Sequence, residues 1–573
     1  MDNKQVALVL AQIADLLEIK GDNAFKVRAY RTAAETIATW PQAVSSMDDA
    51  GLRGIPGIGK DLAAKIKELG TTGTLAYHQE LLAQFPPTIL DLLRLQGVGP
   101  KTVATLYSEL NIRTVDELAA AAQDGRLRAL KGMGAKKAAL ILKAIAERAK
   151  DEGRHLLTDT AATARDLVSY LQERAPDVEF IPVGSLRRGC ETCGDIDILA
   201  VGGDERLMDV FSAHPRVERV LGHGDTKSSV RLTDGYQADL RLVPRESRGA
   251  AMQYFTGSKA HNIAVRDRAV QRGLKLNEYG LFRADDDTRI AGDTEEGIYQ
   301  ALGMSWVAPE LRELRGEIEA AVSDALPLLV SVADLRGDLH MHSTATDGRD
   351  DIAAMAAEAQ RLGHEYIAIT DHSKALAMAN GLDEKRALEH AAKVRALNGR
   401  FDGLTILAGI ECDILPDGSL DLADDCLAQL DLVIASVHSQ FSQDQPQMTD
   451  RVLKALACPW VDVLGHPTGR RLLQREPLRL DMAAVVTAAK HHGVALEINC
   501  QPDRLDLSDT NARLALDNGV SLIVSTDAHA TAALHRLQWG VLMARRAWAR
   551  AADVLNTLPL DALRARLRRT RSR

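Results

Sequence analysis

The sequence of 573 residues predicts a multidomain protein with a helical N-terminal part, a mixed α+β middle and a C-terminal β/α barrel. Three observations predict this order. A Gly-x-Gly pattern recurs three times between helical stretches, an Asp-x-Asp pair lies on a predicted central strand, and strands alternate with helices after residue 338. A chain of this length holds about three to five domains of ordinary size.

The composition, 46% hydrophobic and 26% charged, is that of a globular protein and excludes collagen-like repeats and general disorder. The sequence has no uncharged apolar stretch of about 18–20 residues, so we expect no membrane span. Six scattered cysteines and the absence of a signal-like apolar core in residues 1–30 indicate a cytoplasmic protein with reduced thiols. The net charge of −9 hides a basic N-terminal part, since residues 1–150 hold 20 Lys and Arg against 16 Asp and Glu.

The N-terminal part begins with apolar residues at helical spacing, which predict helices over 4–20 and 24–39. Each Gly-x-Gly that follows precedes an amphipathic helix with an early lysine. Glycine permits a tight turn with positive φ, and the next helix start adds unpaired N–H donors, so each turn can bind a backbone phosphate without reading bases. One copy would fit a plain helix-to-helix turn equally well, but three favour DNA contacts. The predicted DNA-contacting residues here are Gly57, Gly59, Lys60, Gly97, Gly99, Lys101, Gly132, Gly134 and Lys136.

Lys65 is a candidate nucleophile one helical turn after the first glycine turn. A lysine with a lowered pKa can attack an aldehyde and form a Schiff base. Composition alone would favour a solvated surface lysine.

The middle of the chain predicts a site built from three carboxylates. Asp195 and Asp197 are two residues apart on a strand and therefore share one face. Asp239 lies on a later strand, and Gly184-Ser185 ends a strand at a turn into a helix that can hold phosphate. Together they predict a two-metal nucleotidyl-transfer site, although a lone Asp-x-Asp would be weak evidence. The Cys190-x-x-Cys193 pair lacks further ligands and is interpreted as loop sequence.

The run from Tyr254 to Ser258, with Asn262, Arg266 and the segment Leu276–Tyr279, resembles the thumb of family X DNA polymerases, the polymerase beta group. The resemblance covers residues 1 to about 320. It implies an α-helical lyase-like domain with a helix-hairpin-helix at 1–88, fingers with two further helix-hairpin-helix motifs at 89–150, an α+β nucleotidyltransferase palm at 151–245, and an α/β thumb at 246–320.

The resemblance also implies roles for single residues. Asp195, Asp197 and Asp239 would bind two Mg²⁺ or Mn²⁺ ions, Arg266 would approach the template, and Lys65 matches the lyase nucleophile, with Lys26 and Tyr30 as its phosphate-binding neighbours. The residues implied to bind the incoming nucleotide are Gly184, Ser185, Arg188, Gly194, Tyr254, Phe255, Gly257 and Asn262. The sequence departs from the family at Cys193, where a serine is usual, at Gln237, where an arginine is usual, and at Asp61, where a lysine is usual.

After residue 338, short apolar runs each end in a residue that can bind a metal ion, which is typical of the active face of a β/α barrel. Seven strands fit the count. Any one of these histidines could be a satisfied core residue, but six at the ends of different strands are poorly explained that way. Imidazole and carboxylate without thiolate suit two or three ions of Zn²⁺, Mn²⁺ or Fe²⁺. The candidate ligands are His340, His342, Asp347, His372, Glu411, His438, His466, Asp527 and His529.

This pattern resembles the PHP (polymerase and histidinol phosphatase) family of metal-dependent phosphoesterases, whose fold is a distorted (β/α)7 barrel. We place this domain at 334–573 and the linker before it at 321–333. Fused to a family X polymerase, as in bacteria, it implies a 3′→5′ exonuclease, with abasic sites or blocked 3′ ends as further candidate substrates.

The resulting hypothesis is a DNA repair polymerase that fills gaps and trims ends, binds gapped DNA and dNTPs, and acts as a monomer. Two alternatives stay open. One is a PHP phosphatase tethered to DNA, and the other is an end-binding scaffold with degraded sites. The complete acid sets argue against the scaffold, and the glycine turns and thumb-like segment argue against the phosphatase.

Overall fold

The computed structural model describes residues 3–40, 44–86, 88–93, 95, 98–130, 133–134, 137, 139–142, 145 and 153–571. The chain divides into two compact units. One consists of residues 1–152 with the short segments 377–380 and 474–476, and the other of residues 153–376, 381–473 and 477–573. Among the described residues, no helix is both long and apolar enough to cross a membrane.

The first unit is helical, as predicted. The predicted helices over 4–20 and 24–39 are confirmed as Asn3–Lys20 and Ala24–Thr39, and their apolar faces lie in one core. Further helices are Asp49–Gly54, Lys60–Thr72, Ala76–Leu82, Ile89–Leu92, Pro100–Leu110 and Val115–Gln123.

The second unit begins with a short strand pair, β1 (His155–Leu156) with β3 (Thr192–Cys193), and a five-stranded sheet. The strands of the sheet are β2 (Glu179–Pro182), β4 (Asp195–Val201), β5 (Val217–His223), β6 (Lys227–Leu232) and β7 (Gln237–Val243). Their order in the sheet is β2-β4-β7-β6-β5. Helices Leu157–Arg174 and Arg206–Ser212 bury their apolar residues on the sheet. Strands β4 and β7 run parallel, with Asp197 directly opposite Asp239.

A smaller subdomain follows, with a three-stranded sheet of β8 (Leu274–Asn277), β9 (Gly280–Arg283) and β10 (Arg289–Ala291). Its helices are Arg248–Thr256, Lys259–Gln271, Glu295–Ala301 and Glu317–Val322. A buried ion pair stabilises it, since Arg312 Nη1 donates to Glu295 at 2.7 Å. Arg187, from the four-residue helix Gly184–Arg187, donates to the same carboxylate at 2.7 and 2.8 Å and so ties the five-stranded sheet to this subdomain.

The remainder is the predicted β/α barrel. Seven parallel strands follow in chain order, and a bridge between Met341 and Ala528 joins the first strand to the last, which nearly closes the ring. The strands are β11 (Gly337–Asp338), β12 (Tyr366–Ile369), β13 (Thr405–Asp413), β14 (Leu432–Ser436), β15 (Val463–Leu464), β16 (Ala495–Asn499) and β17 (Leu522–Ser525). The helices are Ile352–Arg361, Glu384–Ala396, Asp424–Leu427, Gln445–Leu456, Met482–His492, Asp509–Asp517, Leu537–Arg546 and Leu560–Arg571.

The barrel shares a hydrophobic core with residues beside the five-stranded sheet, in the helix Leu157–Arg174 and in β3. Leu157 and Cys193 are fully buried in the same cluster as Leu537 and Val541 of the barrel. The segment predicted as a linker, 321–333, also packs, because Val330 is fully buried and its amide donates to the Ala549 carbonyl at 2.9 Å. The barrel and the sheet are thus one packed body.

Candidate active sites of the palm and the barrel

The nine candidate ligands of the C-terminal region meet at the mouth of the barrel formed by the carboxyl ends of its strands. Parallel strands of a barrel bring their ends to one rim, so residues almost 200 positions apart become neighbours. Three groups have ligand atoms within 4.8 Å of one another. They are His342, Asp347, His372 and His529; His340, His342 and Asp527; and His372, Glu411 and His438.

Glu411 lies at the centre of this cluster. Its Oε2 is 3.4 Å from His340 Nε2 and 3.0 Å from His372 Nδ1. Its Oε1 is 3.3 Å from His438 Nε2 and 2.9 Å from His466 Nε2. One carboxylate oxygen therefore faces His340 and His372 and the other faces His438 and His466, an arrangement that would let Glu411 bind two ions.

Two carboxylates that the sequence reasoning missed orient the imidazoles. Glu497 lies 2.7 Å from His340 Nδ1, and Asp413 lies 3.0 Å from His438 Nδ1. Burial lowers the pKa of His340 and His438, but the neighbouring carboxylates outweigh it and raise both values. An imidazole bound to an ion would carry its proton at Nδ1, toward the carboxylate, and present Nε2 to the ion. The period of two along a strand could have found both residues, since Asp413 follows Glu411 by two positions and Glu497 precedes Asn499 by two.

The donor set fits divalent ions. Among the described residues, His340 Nε2, both ring nitrogens of His342 and His466 Nδ1 are buried without a hydrogen-bond partner. Burial, with His529 and His372 nearby, lowers the pKa of His342 to about 4, so its imidazole is neutral at pH 7, as a metal ligand must be. Burial raises the pKa of Glu411, but the surrounding imidazoles outweigh it and hold that pKa well below its usual range.

The three acids of the five-stranded sheet are also brought together. Asp195 and Asp197 lie on β4, and Asp239 faces Asp197 across the parallel β7. Burial, together with Asp195 and Asp239, raises the pKa of Asp197 to about 7. Three carboxylates this close repel one another until a cation lies between them, which is the behaviour of a divalent metal site.

Lys227 on β6 is a further residue that the sequence reasoning missed. Its Nζ lies 2.9 Å from Asp239 Oδ2, on the strand next to β7. Gln237, which stands where the family has an arginine, reaches Asp239 only at 3.4 Å. Lys227 thus supplies from a neighbouring strand the positive charge that Gln237 lacks.

The residues implied to bind a nucleotide surround this acid site. Gly184 has φ +66°, and a Cβ there would lie 2.6 Å from Asp197 Oδ2, so only glycine fits. Arg188 Nη1 donates to the Thr256 carbonyl at 2.5 Å, and a Cβ on Gly257 would lie 3.1 Å from the same Nη1. Arg188 is thereby held against the start of the second subdomain.

Four more of the implied nucleotide and template residues lie on the two helices that meet at Gly257. The rings of Tyr254 and Phe255 are 5.1 Å apart at their centroids, and Asn262 Nδ2 donates to the Tyr254 carbonyl at 2.6 Å. Arg266 is exposed on the helix Lys259–Gln271. Ser185 follows Gly184 in the helix Gly184–Arg187, and Gly194 immediately precedes Asp195.

The three glycine turns share one construction. In each, an amide donates to a carbonyl three residues earlier: Ile58 to Ile55 at 3.0 Å, Val98 to Leu95 at 3.1 Å and Met133 to Leu130 at 3.1 Å. All six of these side chains are buried. The buried pair fixes each turn.

The glycines of two turns are the N-caps of the next helices. Gly57 has φ +84°, and Gly59 and Gly99 cap the helices that begin at Lys60 and Pro100. Lys60 and Lys101 are exposed, and Gly134 follows the third turn. Gly97, Gly132 and Lys136 lie outside the described residues.

The residues around Lys65 raise the pKa of its side chain. Burial lowers the pKa of Lys65, but its hydrogen bond to Asp61 and the nearby Tyr30 outweigh burial and raise that pKa above its usual value. Its Nζ also lies 5.1 Å from the Tyr77 ring centroid, and Lys26 Nζ lies 5.0 Å from the same ring. The lowered pKa expected of a Schiff-base nucleophile is therefore not present in this structure, and Asp61 is the main reason.

Comparison with known protein families agrees with this geometry. Five family models match: a helix-hairpin-helix domain at residues 1–75, a SAM-like helix-hairpin-helix tandem at 89–147, the DNA polymerase beta palm at 157–223, the DNA polymerase beta thumb at 251–313 and the PHP domain at 338–501. The palm and thumb matches contain Asp195, Asp197 and the residues from Tyr254 to Arg266.

Three relatives show how far the likeness extends. The DNA polymerase/3′-5′ exonuclease PolX of Bacillus subtilis is 37% identical over 572 residues, 99% of this chain and 100% of that protein. A probable phosphatase of Thermoanaerobacter sp. is 30% identical over 228 residues, 38% of this chain and 85% of that protein. DNA polymerase lambda of Arabidopsis thaliana is 25% identical over 347 residues, 54% of this chain and 62% of that protein. The chain belongs to the family X DNA polymerases that carry a PHP domain and uses divalent metal ions.

Proposed function

We propose that this chain is a DNA-directed DNA polymerase that fills gaps during repair, with a 3′→5′ exonuclease in the barrel. The observation that carries the proposal is the coexistence of two separate side-chain clusters in one packed body: three carboxylates on β4 and β7, and six histidines with three carboxylates at the barrel mouth. The full-length likeness to the Bacillus subtilis polymerase and exonuclease supports the pairing of the two activities.

In the palm, the chain's own residues hold the reactants in place. Asp195, Asp197 and Asp239 would hold two Mg²⁺ or Mn²⁺ ions, with Asp239 nearest the primer 3′-hydroxyl. The turn at Gly184 and the guanidinium of Arg188 would bind the triphosphate, because uncovered N–H groups and a fixed cation both favour oxygen anions. The aromatic pair Tyr254 and Phe255 would line the sugar and base.

In the barrel, Glu411 would bridge two of two or three ions of Zn²⁺, Mn²⁺ or Fe²⁺, and the histidines would complete their coordination. Glu497 and Asp413 would then hold the imidazole protons at Nδ1 of His340 and His438, so that each Nε2 faces an ion. In both sites the bound ions supply activation of the attacking oxygen and neutralisation of phosphate charge.

DNA would be held without sequence preference, because the glycine turns expose backbone amides and lysines to phosphates. We propose gapped or primer-template DNA and dNTPs as the substrates, and a monomer as the active form. The lyase step through Lys65 is not part of the proposal, since Asp61 contributes to a raised pKa of that lysine, whereas a Schiff-base nucleophile needs a lowered one.

The test is a gapped duplex labelled on the primer, incubated with Mn²⁺ with and without dNTPs. We expect wild-type protein to lengthen the primer with dNTPs and shorten it without them. Asp239→Asn should abolish lengthening and keep shortening, and His342→Ala should do the reverse. Asp234→Asn and His535→Ala, which change exposed residues outside both clusters, serve as controls. Loss of both activities in either site variant would contradict two independent sites.

A second candidate function for the barrel is a small-molecule phosphatase, because the Thermoanaerobacter relative that matches this region is named a probable phosphatase. Release of phosphate from p-nitrophenyl phosphate, with no shortening of labelled DNA, would favour it over the exonuclease.

A further inference from the structure

The loop that carries Arg188 packs against the barrel. A Cβ placed on Gly189 would lie 3.4 Å from Leu542 of the barrel helix Leu537–Arg546. Glu191 in the same loop accepts a hydrogen bond from Arg470 Nη2 at 2.6 Å. A segment that contacts the nucleotide in the proposed function thus takes its position from residues of the nuclease domain.

Arg546 is the strongest of these links. It is only 7% exposed, and it ends the helix Leu537–Arg546. Its Nη1 donates to the carbonyl of Arg188 at 2.8 Å and to Glu313 Oε1 at 3.0 Å. Its Nη2 lies 2.8 Å from Asp509 of the barrel. One side chain therefore joins the barrel, the palm loop and the thumb.

Glu313 is shared between two guanidinium groups. The oxygen that accepts from Arg546 also accepts from Arg188 Nε, at 3.0 Å. Arg546 also pairs with Asp509, which binds Arg315 as well, so three arginines and two carboxylates leave a net charge of +1 in this network. Without Arg546, Glu313 would neutralise Arg188 alone, and the loop would lose the bond to its backbone carbonyl.

We propose that Arg546 of the nuclease barrel is a positioning residue for nucleotide binding by the polymerase. Arg546 pairs with Glu313, so that Glu313 does not fully neutralise the positive charge that Arg188 offers to the triphosphate. It also holds the backbone of the loop at Arg188. The inference rests on the proposed function, in which Arg188 contacts the triphosphate.

The experiment measures steady-state addition of one nucleotide by full-length Arg546→Met, Arg546→Lys and Arg188→Ala. Arg546→Met should raise the KM for dNTP about tenfold and change kcat by less than about threefold, because the loss is in ground-state binding of a charged ligand. Arg546→Lys keeps the charge and should recover most of the KM. Arg550→Met, which removes an exposed arginine four residues later that pairs with Asp553, is the matched control.

A second variant separates a role in charge from a role in folding. Glu313→Gln added to Arg546→Met removes the carboxylate that would otherwise neutralise Arg188, so the KM should return toward the wild-type value. Shortening of a labelled strand without dNTPs shows that the barrel is intact in each variant. If Arg546→Met fails to fold, the double variant, in which the carboxylate beside Arg188 is also removed, carries the comparison.

The outcomes are distinct. An unchanged KM in folded Arg546→Met, or a double variant whose KM is as high as the single variant's or higher, overturns the inference while the proposed function stands. An unchanged KM in Arg188→Ala removes Arg188 from the nucleotide site and overturns this inference together with that part of the proposed function. Raised KM values in both single variants with recovery in the double variant support it.

Discussion

Replacement of Gly184 by alanine offers a direct measure of how tightly the palm acids are placed. Gly184 has φ +66°, a left-handed conformation that costs an L-residue about 1–2 kcal/mol. The added Cβ would also lie 2.6 Å from Asp197 Oδ2, against an ordinary contact of 3.4 Å, so the carboxylate must move by the difference, about 0.8 Å. A misplacement of about 1 Å costs about 10²-fold in rate, which corresponds to about 2.7 kcal/mol of transition-state stabilisation.

The control is Gly235→Ala in the turn between β6 and β7. Gly235 has φ +89°, and a Cβ there would meet no atom within 4 Å, so it carries the backbone strain without the contact with an acid. Primer extension at saturating dNTP should fall about 100-fold for Gly184→Ala and stay near wild type for Gly235→Ala. Thermal unfolding should show a similar loss of stability in both. Full extension by Gly184→Ala, or equal loss in the two variants, would refute the argument that Asp197 is displaced.

Three further predictions concern charge. The pKa of the Asp197 carboxyl is about 7, so this group must lose a proton when an ion binds. The Mn²⁺ affinity that calorimetry measures for the wild type, compared with that of Asp197→Asn, should therefore fall about tenfold per pH unit below 7 and level off above it. A flat profile would contradict this. Lys227→Met removes the cation beside Asp239 and should tighten Mn²⁺ binding at pH 8, and weaker binding would show that the cation instead organises the acids. Asp61→Asn should lower the pKa of Lys65 and increase borohydride-trapped DNA adducts at pH 7.5 on gels, whereas unchanged trapping would clear Asp61 as the cause of its low reactivity.

The sequence predicted local features well because their causes are local. The helices Ile352–Arg361 and Met482–His492 follow from apolar spacing, and each starts at an aspartate whose side chain caps it, Asp351 and Asp481. The grouping of the nine candidate barrel ligands could be predicted because each stands at or near the end of an apolar run, and parallel strands bring those ends together.

The partners of these residues could not be found in the same way. The contact of Arg546 with the Arg188 carbonyl joins residues 358 positions apart, and nothing in either local segment specifies the other. Lys227 pairs with Asp239 because β6 lies next to β7 in the sheet, which is a matter of strand order. Tyr30, which adds to the effect of Asp61 on the pKa of Lys65, likewise lies on another helix. Each of these depends on tertiary packing.

The apolar cluster that unites Leu157 and Cys193 with Leu537 and Val541 bears on how such a gene can evolve. A truncated protein ending near residue 320 would expose that apolar surface to water. It would then aggregate unless further substitutions made the surface polar. The polymerase part and the barrel are therefore not independent domains that could be exchanged separately. A lineage that exchanged one barrel for another would have to change the opposing surface in step, which favours inheritance of the pair as a single unit.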